Sequence, residues 1–386
     1  MSSPSVLDLD SSATTPVSER VFAAMTPWFR EGYANPGSPS AAGERAREAV
    51  GEARSQLAEF LGAEPREIVF TSGGTESNQT AIRSAIRARP GRRTVLVSAV
   101  EHSSILGLGP DLEREGIRMV RIPAREDGRI EPSEVARLVD GDTALVAVMW
   151  ANNETGAINP VREIAGIARE AGALFLSDGV AAAGKLPLDL REVQADFLSL
   201  SAHKFHGPKG IGALFVRKGG DFYPLLPGSQ ERRRRGGTEN VPGIVGLGEA
   251  ARESRELLGK GAPRLARLRD RLEEGLLSLG NEIRRNGPAD ERLRAPHIAN
   301  LRFSGIPGEK ILLSLGREGI AVSMGSACSS GSMEPSHVLL AMGLAREEAM
   351  SSLRFSLGRD TKSGDIDRTV AALGRILGQE EKRWVS

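Results

Sequence analysis

The sequence predicts an α/β protein: a large unit built on a mainly parallel, helix-covered sheet, with a smaller α+β unit attached. Three observations carry this. From Ile68 onward, short apolar runs alternate with helical stretches of ten or so residues, the pattern of parallel strands joined by crossover helices. A charged, mostly helical stretch from Glu253 to about Leu279 then reads as a connector. Beyond it, Ile298-Ala-Asn-Leu-Arg-Phe303 and Ser352-Leu-Arg-Phe-Ser356 read as strands among helices. No internal repeat and no low-complexity tract is present.

In order, Asp10-Ser-Ser-Ala-Thr-Thr-Pro16 is a turn-rich start, followed by a helical pattern from Val17 to Phe29. Asn35-Pro-Gly-Ser-Pro-Ser40 is a loop, because each proline removes a backbone donor and restricts its neighbour. An amphipathic helix follows over Ala41 to Leu61, apolar at Ala46, Ala49, Val50, Ala53, Leu57 and Phe60. Ile68–Phe70, Thr94–Val97, Ile117–Val120, Ala144–Met149 and Ala173–Leu176 read as strands. Helices are expected up to about Ala88, from Glu101-His102, around Ser133–Val139 and over Val161–Ala171. Asp196–Leu200 and Gly212–Val216 are two more strands, separated by a turn broken by glycine and proline. Arg232–Arg235 reads as a solvated charge run. Gly259-Lys-Gly-Ala-Pro263 is expected to break or kink the connector.

Composition narrows the function. The 386 residues are 40% hydrophobic and 26% charged with a net charge of +1, so no basic excess argues for nucleic acid or a membrane surface. No apolar run approaches the roughly 20 residues that span a bilayer, and the N-terminus lacks the pattern of an export signal. The single cysteine, Cys328, excludes an intrachain disulfide and fits a reducing cytoplasm.

The chemistry-bearing residues gather at strand ends, where open α/β sheets bind ligands. Ser199-Leu-Ser-Ala-His-Lys-Phe-His-Gly-Pro-Lys-Gly-Ile-Gly212 places Lys204 at the end of a buried strand, where desolvation favours the free amine of a Schiff-base lysine. A solvated loop lysine is the alternative for Lys204 taken alone. Thr71-Ser-Gly-Gly-Thr-Glu-Ser-Asn78 runs from strand through glycine turn to helix start, either a capped turn or an anion cradle. Asp178 is a strand-end cap or, beside a bound phosphate, the partner of a protonated pyridine nitrogen. Amine, cradle and carboxylate are the three parts that pyridoxal phosphate (PLP) needs. His102 suits ring stacking or proton transfer near neutral pH, and Asn152-Asn-Glu-Thr-Gly156 is a further strand-end loop or a plain turn. Cys328 lies in a small, polar stretch that suits a nucleophile better than inert packing. Arg354 can clamp a carboxylate bidentately or form a surface pair.

Together these residues resemble the cysteine desulfurases of the NifS/IscS type, within the fold-type I PLP enzymes known as class V aminotransferases. The likeness runs from Ala13-Thr-Thr-Pro16 to Arg354-Phe-Ser-Leu-Gly-Arg359. Its most specific pieces are Thr71–Ser77, Asn152–Gly156, Ser201-Ala-His-Lys204 with Gly207-Pro-Lys-Gly210, and Gly325-Ser-Ala-Cys328. The resemblance implies that Lys204 carries PLP and that Asp178 pairs with its ring nitrogen. Gly74, Thr75, Ser201 and His203 would bind the phosphate, and Thr238 the phosphate of a neighbouring subunit, which implies a homodimer. His102 would stack on the ring and Asn153 approach its hydroxyl, while Asn35 and Arg354 hold the substrate carboxylate. Cys328 would take sulfur from L-cysteine as a persulfide, leaving L-alanine, and pass it to an acceptor protein, a cluster scaffold or a tRNA-thiolation enzyme. No resident metal is implied, only transient contact of Cys328 with a cluster.

The chain departs from the family pattern at Ala181, where a glutamine usually stands beside the ring hydroxyl, at Ser11, usually aromatic, and at Ser40, usually histidine. The expected boundaries are 15–255 for the large PLP-binding domain, and 1–14 with 256–386 for the small one that carries the cysteine loop. A selenocysteine lyase or other carbon–sulfur lyase, and a catalytically weak PLP-binding platform for sulfur, are the alternative readings.

Overall fold

Buried on both faces, the strands of a helix-covered parallel sheet need continuous apolar runs, and the sequence supplies them. The computed structural model describes residues 6–325 and 334–384. Its central sheet has seven strands: β2 (Ile68–Thr71), β3 (Thr94–Ser98), β4 (Arg118–Ile122), β5 (Thr143–Ala147), β6 (Leu174–Asp178), β7 (Phe197–Ser201) and β8 (Gly212–Val216), in the order β2-β8-β7-β6-β5-β3-β4. β8 alone runs antiparallel to its neighbours; the other pairings are parallel.

Successive residues of a strand face opposite sides, and here they feed separate cores. Leu96, Val146, Phe175 and Leu198 join one cluster with the Ala41–Leu61 helix. Val95, Leu145, Leu176 and Phe197 join another with Ala81, Ile82 and Ala85 of the Gly74–Ala88 helix. A third core gathers Leu9, Leu301, Phe303, Leu353 and Phe355 around an antiparallel sheet of β9 (Ile283–Asn286), β10 (Ile298–Phe303) and β12 (Ser352–Ser356). Beside it, β1 (Leu7–Asp8) pairs in parallel with β11 (Ile320–Ala321). Val338, Leu339, Met342 and Ala349 pack instead with the first core.

The connector differs from the expectation. Val241–Leu277 is one helix of 37 residues with Pro263 inside it, about 55 Å long at 1.5 Å per residue. Ile244, Leu247 and Ala250 anchor its first part in the first core, and Leu265, Leu272 and Leu276 its last part in the third. Anchored at both ends, the helix tolerates the proline despite the lost hydrogen bond to Gly259. The expected Val17–Phe29 helix divides into Glu19–Met25 and a 3-10 turn over Thr26–Phe29, where Pro27 supplies no donor.

The arginine run is a solvated face only in part: Arg232 and Arg233 are exposed, yet three of the four arginines are tied back to the protein. Arg232 donates to Ile68 O at 2.9 Å, Arg234 to Arg66 O at 2.7 Å, and Arg235 to Glu76 at 3.0 Å. Glu231, buried against Arg54, accepts from Phe70 N–H at 3.0 Å and fastens the run along β2. Among the described residues no helix is long and apolar enough to cross a membrane.

Candidate active site

Where β2 and β7 end, a cavity of about 860 Å³ opens between the sheet and the N-terminal segment. β2 turns at Ser72-Gly73 directly into the Gly74–Ala88 helix, and Gly73 provides no side chain to cap the first turn. The amides of that turn and the positive end of the helix dipole therefore face the cavity. Glycine is required here: a Cβ on Gly74 would lie 2.8 Å from Val180 Cγ2, and one on Gly212 would lie 2.6 Å from Gly73 Cα. Thr75 and Ser201 add hydroxyls, and His203 adds an imidazole whose Nδ1 is 3.1 Å from Thr14 Oγ1. Burial first, then Lys204, draws His203 down to about 4, so its ring is neutral at physiological pH. Glu76 stands in the same turn but directs its carboxylate to Ser72 N–H at 2.8 Å and to Arg235 at 3.0 Å. Against the upward pull of burial, these bonds hold its pKa below the usual range.

Opposite the cradle, Asp178 ends β6 and is nearly buried. It accepts from Val180 N–H at 2.9 Å and from Asn78 Nδ2 at 2.7 Å; Asn78 Nδ2 also reaches Ser104 Oγ at 2.9 Å. Lys204, in the 3-10 turn after β7, donates through Nζ to Ser12 O at 2.6 Å and Ala13 O at 2.9 Å. Burial and the neighbouring Arg354 bring its pKa down to about 8. His102 caps the short Ser103–Leu106 helix, its Nδ1 accepting from Ser104 N–H at 3.1 Å, so the neutral ring carries its proton on Nε2. His102 as a whole is exposed, but partial desolvation of its ring lowers the pKa even though Asp178 opposes the shift. Beneath it, Glu101 is wholly buried and accepts from Ser98 Oγ and Met149 N–H, both at 2.6 Å. Burial raises its carboxyl to about 8, which keeps it protonated at neutral pH.

Arg354 enters from β12. It donates to Asp10 Oδ1 at 2.6 Å and to Asn153 O at 3.0 Å, and it lines the same cavity with Asn153. The arrangement can hold a phosphate at one end and a carboxylate at the other, with an amine and a carboxyl between them.

Residues 8–369 match the family model "Aminotransferase class-V". The "Cysteine desulfurase 2" of Trichormus variabilis is 47% identical over 374 residues, covering 97% of this chain and 93% of the relative. A solved "NifS-like protein" superposes with a TM-score of 0.90 at 35% identity, covering 97% of this chain and 99% of that one. A structure described as "SspA in complex with cysteine" superposes with a TM-score of 0.81 at 33% identity over 92% of this chain and 99% of its own. The chain belongs to the class-V aminotransferases, among the cysteine desulfurases.

Against that class-V aminotransferase frame, Gly74, Thr75, His102, Asn153, Asp178, Ser201, His203, Lys204 and Arg354 all line the one cavity. Asn35 and Thr238 do not. Asn35 is exposed and accepts from Gly37 N–H at 2.8 Å, and Thr238 is exposed as well. Cys328 lies outside the described residues. Ala181 lines the cavity, and so does Ser11, whereas Ser40 caps the Ala41–Leu61 helix by accepting from Gly43 N–H at 3.2 Å.

Sequence reasoning passed over Asn78, Ser104, Glu101 and Asp10 as site residues. Asn78 had a signal, since it follows Gly74 by four residues and so shares its helix face. Asp10, 344 residues from its partner Arg354, had none.

Proposed function

We propose that the chain is a PLP-dependent cysteine desulfurase, acting as a homodimer, that converts L-cysteine to L-alanine. The observation that carries this reading is the convergence of Lys204, Asp178 and the Gly73–Thr75 cradle on one cavity. The residues present fit PLP. The cradle is space that a Cβ would fill, and its donors suit a phosphate dianion; beside Asp178, the buried Asn78 Oδ1 lacks a donor. When bound, the cofactor supplies an electron-withdrawing ring conjugated to the substrate amine.

The chain's own residues supply the rest. The first-turn amides with Thr75, Ser201 and His203 hold the phosphate, and Asp178, oriented by Asn78 and Val180 N–H, holds a ring nitrogen in its protonated form. With a pKa near 8, Lys204 can give or take a proton at Nζ at working pH. His102 would offer Nε2–H, and Arg354 would meet the substrate carboxylate. Cys328 takes the sulfur: the carbon–sulfur bond of L-cysteine breaks, a sulfur–sulfur bond forms at Cys328, and the carbon is protonated to alanine. The sulfur then passes to an acceptor protein. Thr238, exposed and off its own chain's cavity, is available to a second copy.

The test uses purified protein reconstituted with PLP. With L-cysteine it should form alanine, and mass spectrometry should find Cys328 heavier by one sulfur. Lys204→Ala should lose the cofactor's visible band. Full alanine formation by Cys328→Ser would refute the sulfur route.

A further inference from the structure

A second cavity, of about 240 Å³, lies where the stretch after β6 meets the long Val241–Leu277 helix. Among the described residues none lines both cavities. Among the described residues four cations line the second, Lys185, Lys260, Arg264 and Arg359, and no carboxylate does. Two of these are already engaged: Arg359 pairs with Glu253 at 2.8 Å, and Arg264 donates to the carbonyls of Thr361 and Arg359. Lys260 is exposed.

Lys185 differs from the other three. It is only 6% exposed, and among the described residues no side chain or carbonyl accepts from its ammonium. The neighbouring charge that acts on it is the like charge of Arg359, which adds to burial in drawing its pKa down to about 8. At neutral pH it still carries its proton, and a buried ammonium without a counter-charge is costly.

His206 adds a second requirement. It lines the same cavity in a left-handed conformation (φ 69°), fixed by its N–H donating to Thr15 Oγ1 at 2.7 Å. Its Nδ1 lies 3.1 Å from Pro16 O and so must carry the proton, since a carbonyl only accepts. Nε2 is then a bare acceptor, and it is buried with no donor.

We propose that this cavity binds a small protonated oxyanion of the hydrogen-phosphate kind, with charged oxygens on Lys185 and Arg359 and the hydroxyl donated to His206 Nε2. Sulfate, chloride and simple carboxylates answer the charge but bring no proton for Nε2. Size agrees: about 240 Å³ is room for such an ion together with water. Lys185 and His206 come from the central-sheet unit, whereas Leu265 belongs to the third core and Arg359 follows its Leu357. A bound ion therefore ties the two units together.

The test uses PLP-loaded protein, so that the first cavity's cradle is already filled. Calorimetric titration with inorganic phosphate, against chloride at matched ionic strength, should show one site per chain. Lys185→Met should bind at least about tenfold more weakly, the loss expected for one charge-assisted hydrogen bond. Sulfate should bind wild type at least about tenfold more weakly than phosphate, for want of the donated proton. Absence of phosphate binding by wild type, undiminished binding by Lys185→Met, or equal binding of sulfate would each overturn the proposal. If Lys185→Met does not fold, crystals of the loaded protein soaked in arsenate decide the matter. An anomalous peak against Lys185 Nζ supports the site, and peaks only elsewhere refute it.

Discussion

A half-buried lysine shows most directly how environment sets chemistry. Lys204 is held by two backbone carbonyls, Ser12 O and Ala13 O, which accept hydrogen bonds without adding negative charge. Burial and Arg354 therefore prevail, and its pKa falls from 10.5 to about 8. That value leaves a usable fraction of free amine at physiological pH, but in the cofactor-free protein it is also a stability cost. The unfolded chain holds this proton up to about pH 10.5, whereas the folded chain releases it near 8. Stability must then rise with pH across that interval, and the full burden lies below it. Lys204→Met apoprotein is expected to exceed wild-type apoprotein in stability at pH 7 by up to about 3 kcal/mol. The gap should close as pH climbs from 8 toward 10.5. Thermal melts of the two apoproteins across that range check this, and a gap that ignores pH would sink it. Lys185 titrates in the same interval but is present in both proteins, so it cancels.

The long Val241–Leu277 helix asks opposite things of its glycines. At Gly248 it crosses the Ala41–Leu61 helix so closely that a Cβ would lie 2.6 Å from Ala53 Cα, against backbone that cannot yield. At Gly259 a Cβ would meet nothing within 4 Å. Gly248→Ala should therefore destabilise the protein by about 1–3 kcal/mol through overpacking. Gly259→Ala should stabilise it by about 0.5–1 kcal/mol, because the unfolded chain loses freedom that the helix never used. Denaturant melts should show the two shifts with opposite sign. The same helix marks a limit of sequence reading. Gly259 and Gly261 just before Pro263 spell a break, yet apolar residues on either side commit the two halves to different cores, and tertiary packing outweighs the local signal. The strands were legible because burial on both faces leaves apolar runs with no other reading. Ser40 was legible only in part. It departs from the family pattern, but its hydroxyl caps the helix that follows.

Across the whole molecule, what the sequence conceals is pairing between distant segments. The strand-end residues were legible one by one, because a parallel sheet collects the ends of its strands wherever they fall in the chain. The N-terminal segment carried no such mark, yet Ser12 and Ala13 hold Lys204 and Asp10 holds Arg354. Arg354 thus joins three remote parts: its own β12, Asp10 before the first helix, and the Asn153 carbonyl after β5. This pairing bears on substrate binding. A guanidinium already facing a carboxylate presents little net charge to a second one, and at about 5 Å and an effective dielectric near 20 the repulsion between the carboxylates is about 3 kcal/mol. Asp10 is partly exposed, which weakens the effect. Asp10→Asn keeps an oxygen for Arg354 Nη2 and removes the charge. Its KM for L-cysteine should fall by about tenfold with kcat little changed, since the interaction acts on the ground state and the transition state alike. Cysteamine, which has the same thiol and amine without the carboxylate, should inhibit wild type and Asp10→Asn equally. A KM that rises in Asp10→Asn would mean that Asp10 aligns Arg354 rather than competing for it. An equal gain for cysteamine would mean that the carboxylate is bound elsewhere.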